Sequence, residues 1–489
     1  MALPRGTLAG SGFSVIFTCG HPRLISLSVP VRILLVILAV TLAGCATYVE
    51  KDPRVRAFGE EAEFETAAQI AKAAGVDTPR DMLVWKLDEA TALRAGGKLK
   101  ESSKAFEEVE QAFRAEEEQP GFSVSGSALA AFSNGYAQPY RAKPYDRIYA
   151  STYQALNFLE LHDFAAARVS MTRLRFVQES FGAGQLYVTP KSAKSQYDLA
   201  KADQDERTKD GLSQLQENLD GLTKGGTYDD AFSHWLQGMF FLRLGDGVSD
   251  LEKARKEFTA AAGLNAKHPV FKRDLKDCAG TGESQGRVVY VIAETGMCPE
   301  WHEQRVDIPL FVVSSRVPYV GVALPALRPS GLHYNLKLQL DGQNVALDAA
   351  GRPDSLIAKH FEAALPNLKA QAFTSAAVKA TASYLINKSS EEAANRPNSG
   401  TGAGLWALAT KIGTGLYSYK STKADLRNWS LLPAAFSVAR LDARVGQKLT
   451  IPGHPEATLV LPEGKVLLVS IKSTQENRPI VLRCTTLVP

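Results

Sequence analysis

Residues Tyr149–Leu174 read YASTYQALNFLELHDFAAARVSMTRL, and this stretch decides the fold of half the chain. Apolar residues recur three and four apart on both sides of His162-Asp163-Phe164, so the spacing predicts two helices joined by a turn. Ala155 holds a small-residue position in the first helix, and Phe158 supplies bulk three residues later. In the second helix Ala167 is the small residue, and Met171 and Leu174 follow at helical spacing. A small residue in each helix lets the partner approach closely, and a large one fills the gap beside it. One hairpin leaves an apolar face uncovered, so such hairpins stack.

Two more segments fit this pattern. Trp85–Val109 places Ala90, Leu93, Gly97, Leu99, Ser102 and Phe106 at the matching sites. Trp235–Ala261 places Gly238, Phe241, Gly245, Ala254, Phe258 and Ala261 there, with about four residues inserted after Gly245. The three segments resemble tetratricopeptide units. That resemblance implies a helical array with a concave binding face. Tyr149 and Tyr153, one turn apart on the first helix of the central unit, are the expected groove residues.

Outward from these units, residues 59–279 are rich in Ala, Leu, Glu and Lys without β-branched runs, a helical texture. Residues 119–145 carry Pro120, Gly121, Pro139 and Pro144 and cannot form one regular helix, and Tyr136, Tyr140 and Tyr145 either pack back onto the helices or contact a partner. A break spans 182–202, and a helix is expected over 203–222. Near Thr281 the texture changes. Val288–Ala293 (VVYVIA) is a β-branched run between Gly286 and Gly296 and reads as a buried strand. Further strands are expected at Arg305–Val312, Tyr319–Leu324 and Leu336–Leu340, with a turn at Asp341-Gly342. Others are expected near Phe436–Leu441, Lys448–Ile451, Ala457–Leu461, Val466–Ile471 and Pro479–Cys484. Between the two strand groups, 353–387 is helical with an interruption at Pro366, 388–404 is a flexible loop, and Leu405–Tyr419 is a short apolar helix packed on the sheet. The expected class is α+β, with tetratricopeptide-like hairpins over 57–280 and a β-rich domain with a helical insertion over 286–489.

The N-terminus carries the most specific signal. Arg32 precedes Ile-Leu-Leu-Val-Ile-Leu-Ala-Val at 33–40, and the first acid in the chain is Glu50. This apolar run is far shorter than the ~20 residues of a spanning helix, and with its basic flank it reads as a secretory signal. Leu42-Ala43-Gly44-Cys45 resembles the bacterial lipobox. The resemblance implies cleavage before Cys45 and lipidation of its thiol and new amino group, with 45–56 as a tether. Ala46 follows the cysteine, which points to the outer membrane and its periplasmic face. Residues 1–30 show no clear pattern, and Val31 is an expected alternative start. The leader holds three arginines (Arg5, Arg23 and Arg32) and no acid, so a chain of net charge +4 leaves a mature body at +1. A nearly neutral body argues against a nucleic-acid partner. Apolar content of 45% with 22% charged residues excludes a disordered, fibrous or multi-span membrane chain.

Reactive motifs are weak. Gly282-Glu283-Ser284-Gln285-Gly286 matches a nucleophile elbow by letter, but a strand follows the serine where one should precede it. Gly400–Gly404 lacks the strand and the Lys-Ser/Thr pair of a phosphate loop. Cys298, His302 and Glu303 are metal-ligand types without a third and fourth partner at recognisable spacing. No catalytic residue, cofactor or metal site is therefore expected. For Cys278 and Cys298, a disulfide in the oxidising periplasm stands beside free buried thiols as the alternative. Asp425, Arg427 and Trp429 admit two readings. One is an Asp–Arg pair at a structural corner with Trp429 in the core. The other is an Arg427/Trp429 contact patch, since these types are enriched in binding hot spots.

Lys143-Pro144-Tyr145-Asp146-Arg147, Ala424-Asp425-Leu426-Arg427-Asn428-Trp429-Ser430-Leu431-Leu432-Pro433 and the stretch from Tyr290 through Glu294-Thr295-Gly296 to Pro299 resemble a group of proteobacterial outer-membrane lipoproteins. In that group tetratricopeptide-like helices precede a β-rich half. The resemblance implies location and fold outline, with no activity attached. The expected function is a non-enzymatic, lipid-anchored scaffold for envelope proteins, linked to envelope or cell-wall assembly. An envelope hydrolase with its site in 286–489 and a structural spacer are the alternatives.

Overall fold

A computed structural model describes residues 47–133, 138–181, 204–280, 286–309, 319–331, 334–394 and 424–489. Residues 1–46 with Cys45, Tyr136, the expected break at 182–202, residues 282–285, the end of the strand expected at Arg305–Val312, and residues 395–419 with Gly400–Gly404 lie outside the described residues. The helical half contains α1 (Thr47–Glu60), α2 (Phe64–Asp77), a 3₁₀ turn (Pro79–Asp81), α3 (Met82–Ala95), α4 (Leu99–Glu117), α5 (Val124–Ser133), α6 (Pro144–Glu160), α7 (Phe164–Phe181), α8 (Glu206–Thr223), α9 (Ala231–Leu244), α10 (Gly247–Leu264) and α11 (Pro269–Ala279). The second half contains β1 (Val288–Thr295), β2 (Glu300–Pro309), β3 (Tyr319–Arg328), β4 (Leu338–Leu340), β5 (Gln343–Val345), β6 (Asp348–Gly351), α12 (Pro353–Ala394), β7 (Ala435–Leu441), β8 (Lys448–Ile451), β9 (His454–Val460), β10 (Val466–Ser473) and β11 (Val481–Val488). The class is α+β, as expected.

The three predicted segments form the hairpins α3–α4, α6–α7 and α9–α10. The first two close alike. Lys98 N–H reaches Leu93 O and Gly97 N–H reaches Arg94 O, with Gly97 at φ +78°. Asp163 N–H reaches Phe158 O and His162 N–H reaches Leu159 O, with His162 at φ +59°. This is the left-handed C-cap that satisfies two terminal carbonyls. In the third, the residues expected as an insertion after Gly245 form the first turn of α10 instead. A Cβ on Gly238 would lie 2.6 Å from the Phe258 ring, so the small residue of α9 is what admits the large one of α10. Gly238→Ala is expected to cost about 1–3 kcal/mol by overpacking. Phe258→Leu in the same chain should return part of that loss, as read by denaturant unfolding.

A five-stranded sheet of order β11-β10-β1-β7-β6 lies against the helices. β1 runs parallel to β10 (Val288↔Val466) and antiparallel to β7 (Tyr290↔Arg440). Alternation splits its side chains between two cores. Val288, Tyr290 and Ile292 join the helical core, whereas Val289, Val291 and Ala293 pack with Leu449, Ile451 and Leu338 of the four-stranded sheet β5-β4-β8-β9. Burial on both faces is why β1 reads as an unbroken apolar run. Asp341 and Gly342 are both at positive φ and close the β4–β5 hairpin.

Several boundaries differ from expectation, among them β2, which starts at Glu300, five residues before the expected Arg305. Residues 57–280 and 286–489 are not separate bodies. Thr47–Pro489 is one compact unit, because the sheet's inner face and the helices share a core. The 45–56 tether is, from Thr47 on, part of α1, pinned where the Tyr48 ring meets Trp85 at 4.7 Å. α12 runs through Pro366 to Ala394, so it includes the first part of the expected 388–404 loop. Phe361, Leu365 and Leu368, on either side of the proline, are buried. Among the described residues no helix is long and apolar enough to cross a membrane.

Candidate functional site

The motifs at 143–147 and 424–433 meet. Residues 424–433 form a strap laid across α1, α3 and the start of α6, and several polar groups along it have partners far away in sequence. Arg427 is 1% exposed. Its Nε and Nη2 form a fork on Asp425 (2.8 and 2.5 Å), and Nη1 donates to Asp81 Oδ1 (2.7 Å) and Gln138 O (2.8 Å). Asn428 N–H donates to the Tyr48 hydroxyl at 3.1 Å, which donates back to Asn428 O at 2.7 Å. Trp429 Nε1 donates to Thr91 Oγ1 at 2.9 Å, and its ring lies 5.8 Å from Tyr153. The Ser430 and Leu431 amides donate to Asp88 Oδ1 at 3.1 and 3.0 Å. Burial raises the Asp88 carboxyl well above its usual range, and these amides act against that shift.

Lys143 caps the other side. Its Nζ donates to Arg427 O at 2.5 Å and to the Tyr140 hydroxyl at 3.3 Å. Tyr140 in turn donates to Asp146 Oδ2 at 2.6 Å, and the same oxygen accepts the Lys143 amide at 2.8 Å, capping α6.

Gln138 and Tyr140, both bonded to this junction, line a groove of about 420 Å³ between α3 and α4. Its floor is apolar, from Met82, Leu83, Val109 and Ala112, and Met82 is 49% exposed. Its wall is the extended segment 138–141, fixed by Tyr140 N–H on Arg80 O at 2.8 Å. Charges at the rim pair across it, Lys86 with Glu108 at 3.0 Å and Arg141 with Glu116 at 3.8 Å. A smaller groove of about 310 Å³ lies between α4 and α7, edged by Phe158 and by Val169, which is 65% exposed.

The expected site residues move accordingly. Tyr149 and Tyr153 do share a face, but both are fully buried and cannot line an open groove. Tyr149 stacks on Phe436 of β7 at 5.8 Å, and Tyr153 donates to Glu294 of β1 at 2.7 Å. The chain's own sheet covers the face assigned to a partner. Arg427 and Trp429 are likewise buried, so the structural-corner reading describes them and the contact patch does not. Cys278 and Cys298 are free thiols, not a disulfide. Cys278 ends α11 among core side chains, while the Cys298 thiol is aimed at the Trp429 and Ser430 carbonyls (3.4 Å each). Burial pushes the Cys298 thiol up to about 12, which leaves it unreactive at neutral pH. His302 and Glu303 alternate along β2, so they point to opposite faces. Tyr140 and Tyr145 do pack back onto the helices.

Met82, Lys86, Asp81 and Asp88 escaped the sequence reading. The available signal was an acid at 88 within a helix otherwise set for burial. No protein-family model matches this chain, and no curated protein or solved structure is similar to it.

Proposed function

We propose that the chain is an envelope lipoprotein, held by lipid on Cys45 at the periplasmic face of the outer membrane, that binds a segment of another envelope protein in the groove between α3 and α4. The tetratricopeptide-like spacing and the lipobox-like start support this reading, as does the resemblance to outer-membrane lipoproteins. The observation that carries it is the half-exposed Met82 in an apolar floor, beside a wall tied down by Arg427 on Gln138 O and by the Tyr140 amide on Arg80 O. Apolar anchors fit such a floor, and charged flanks fit the paired rim. The test is photo-crosslinking in cells from residue 82, compared with residue 445, where Val445 is 54% exposed in the turn between β7 and β8. A discrete adduct from 82 and none from 445 supports the groove. Absence of any adduct from 82, or the same adduct from both, overturns it.

A further inference from the structure

Lys143 is a basic side chain in an aromatic cage. It is 5% exposed. Nζ lies 4.8 Å from the centre of the Tyr140 ring, 5.3 Å from Trp301, 5.9 Å from Phe132 and 6.0 Å from Tyr145. An ammonium has three N–H donors, and the acceptors it meets are one carbonyl and one phenol, neither of them a carboxylate. The rings attract the cation and offset part of its lost hydration.

The charged and titratable groups around it come from every packed element. α6 supplies Asp146 and Arg147, and the strap supplies Asp425 and Arg427, with Asp81 behind Arg427. β2 supplies Trp301 and, at the strap's edge, Glu303, which accepts the Ala424 amide. His360 of α12 stands edge-on to Tyr145, and Tyr48 lies beyond Tyr140. Burial raises the Tyr140 phenol well above its usual range and pulls His360 down to about 4. Neither changes charge at neutral or mildly alkaline pH.

We propose that the Lys143 amine is a proton-operated latch on the groove's wall, with residues 138–143 lying closed more firmly when the amine is neutral and opening more often when it holds a proton. Closing the wall drives the amine out of water, whereas opening it restores hydration, so the charged form favours the open state. The amine's pKa agrees in sign. Burial lowers it from 10.5 to about 8, and the nearby carboxylates Asp146 and Asp425 only partly oppose this. A base whose closed-state pKa is depressed binds fewer protons closed than open. The closed state therefore gains on the open one as pH rises from about 8 towards 10.5. At neutral pH the wall stays shut through Tyr140 N–H on Arg80 O and Arg427 on Gln138 O.

The latch rests on the groove reading only for its use in binding; its test needs no partner. Hydrogen exchange of the full chain is followed by mass spectrometry from pH 7 to 9.5, with each rate divided by the intrinsic chemical rate. Protection across Tyr140–Lys143 is expected to rise about tenfold or more, while β1 shows no such rise. In Lys143→Met, which keeps the unbranched stem, protection should be high and independent of pH. A flat profile in the native chain overturns the latch, as does an equal rise in β1 or an unchanged rise in Lys143→Met. Should that variant fail to fold, the comparison with β1 in the native chain still decides.

Discussion

Arg427→Ala is expected to lose about 3–5 kcal/mol of stability, the usual cost of removing one partner from a buried ion pair. The loss comes from what stays behind. Asp81 and Asp425, 1% and 11% exposed at their side chains, would remain without their guanidinium, and Gln138 O would lose its donor. Arg427→Lys should recover only part of the loss. A point charge cannot span the Asp425 fork and Asp81 together. Denaturant unfolding of the purified chain checks both variants. A stable, well-folded Arg427→Ala protein would instead restore the contact-patch reading of this residue. The groove should respond as well, because the Gln138 bond is one of those that fix its wall.

Legibility followed the range over which each pattern acts. β1 was readable because burial on both faces leaves a local run, Val288–Ala293, that no polar residue interrupts. The hairpin turns were readable because Gly97 and His162-Asp163 sit at breaks between periodic segments. The strap's partners were not readable. Asp88 and the Ser430 amide are 342 residues apart in sequence, and nothing around either position encodes the other. Tyr149 and Tyr153 show where the boundary falls. Their spacing correctly put them on one helical face. What covers that face, Phe436 and Glu294, belongs to strands more than a hundred residues further on. The interruption expected at Pro366 failed for a related reason. A proline inside a helix costs about 3 kcal/mol, and the apolar face of α12, buried on either side of it, supplies the compensation.

Glu160→Gln is expected to be as costly as the loss of Arg427, about 3–5 kcal/mol at neutral pH, and its cost should vanish in acid. Glu160 ends α6 where helices meet the sheet. Oε1 accepts from Arg94 Nη2 at 2.5 Å and from Ser470 Oγ at 2.9 Å, and Oε2 accepts from Arg483 Nε at 2.9 Å. Beside it Lys472 donates to Glu294 at 3.1 Å, and Arg94 Nε lies 3.9 Å from Glu294. Three cations and two carboxylates thus share this junction, and removing Glu160 leaves one carboxylate for three cations. Burial pushes the Glu160 carboxyl up, but Arg94 and Arg483 outweigh it and hold the group down to about 2. A depressed acid stabilises the fold above its unfolded value of 4.5 and loses that contribution as pH falls towards 2. The difference in unfolding free energy between the native chain and Glu160→Gln should therefore be constant from pH 7 to about 5 and shrink below it. A difference that stays constant to pH 2.5 would mean that Glu160 acts through shape alone. The pairing also bears on why the junction is ionic. An apolar contact between α6 and the sheet would tolerate sliding, whereas Glu160 is satisfied only where Arg94, Ser470 and Arg483 converge. The same docking sets Tyr153 against Glu294 and Trp429, so the charge cluster fixes the register in which the sheet fills the helical face and leaves the α3–α4 groove as an open surface.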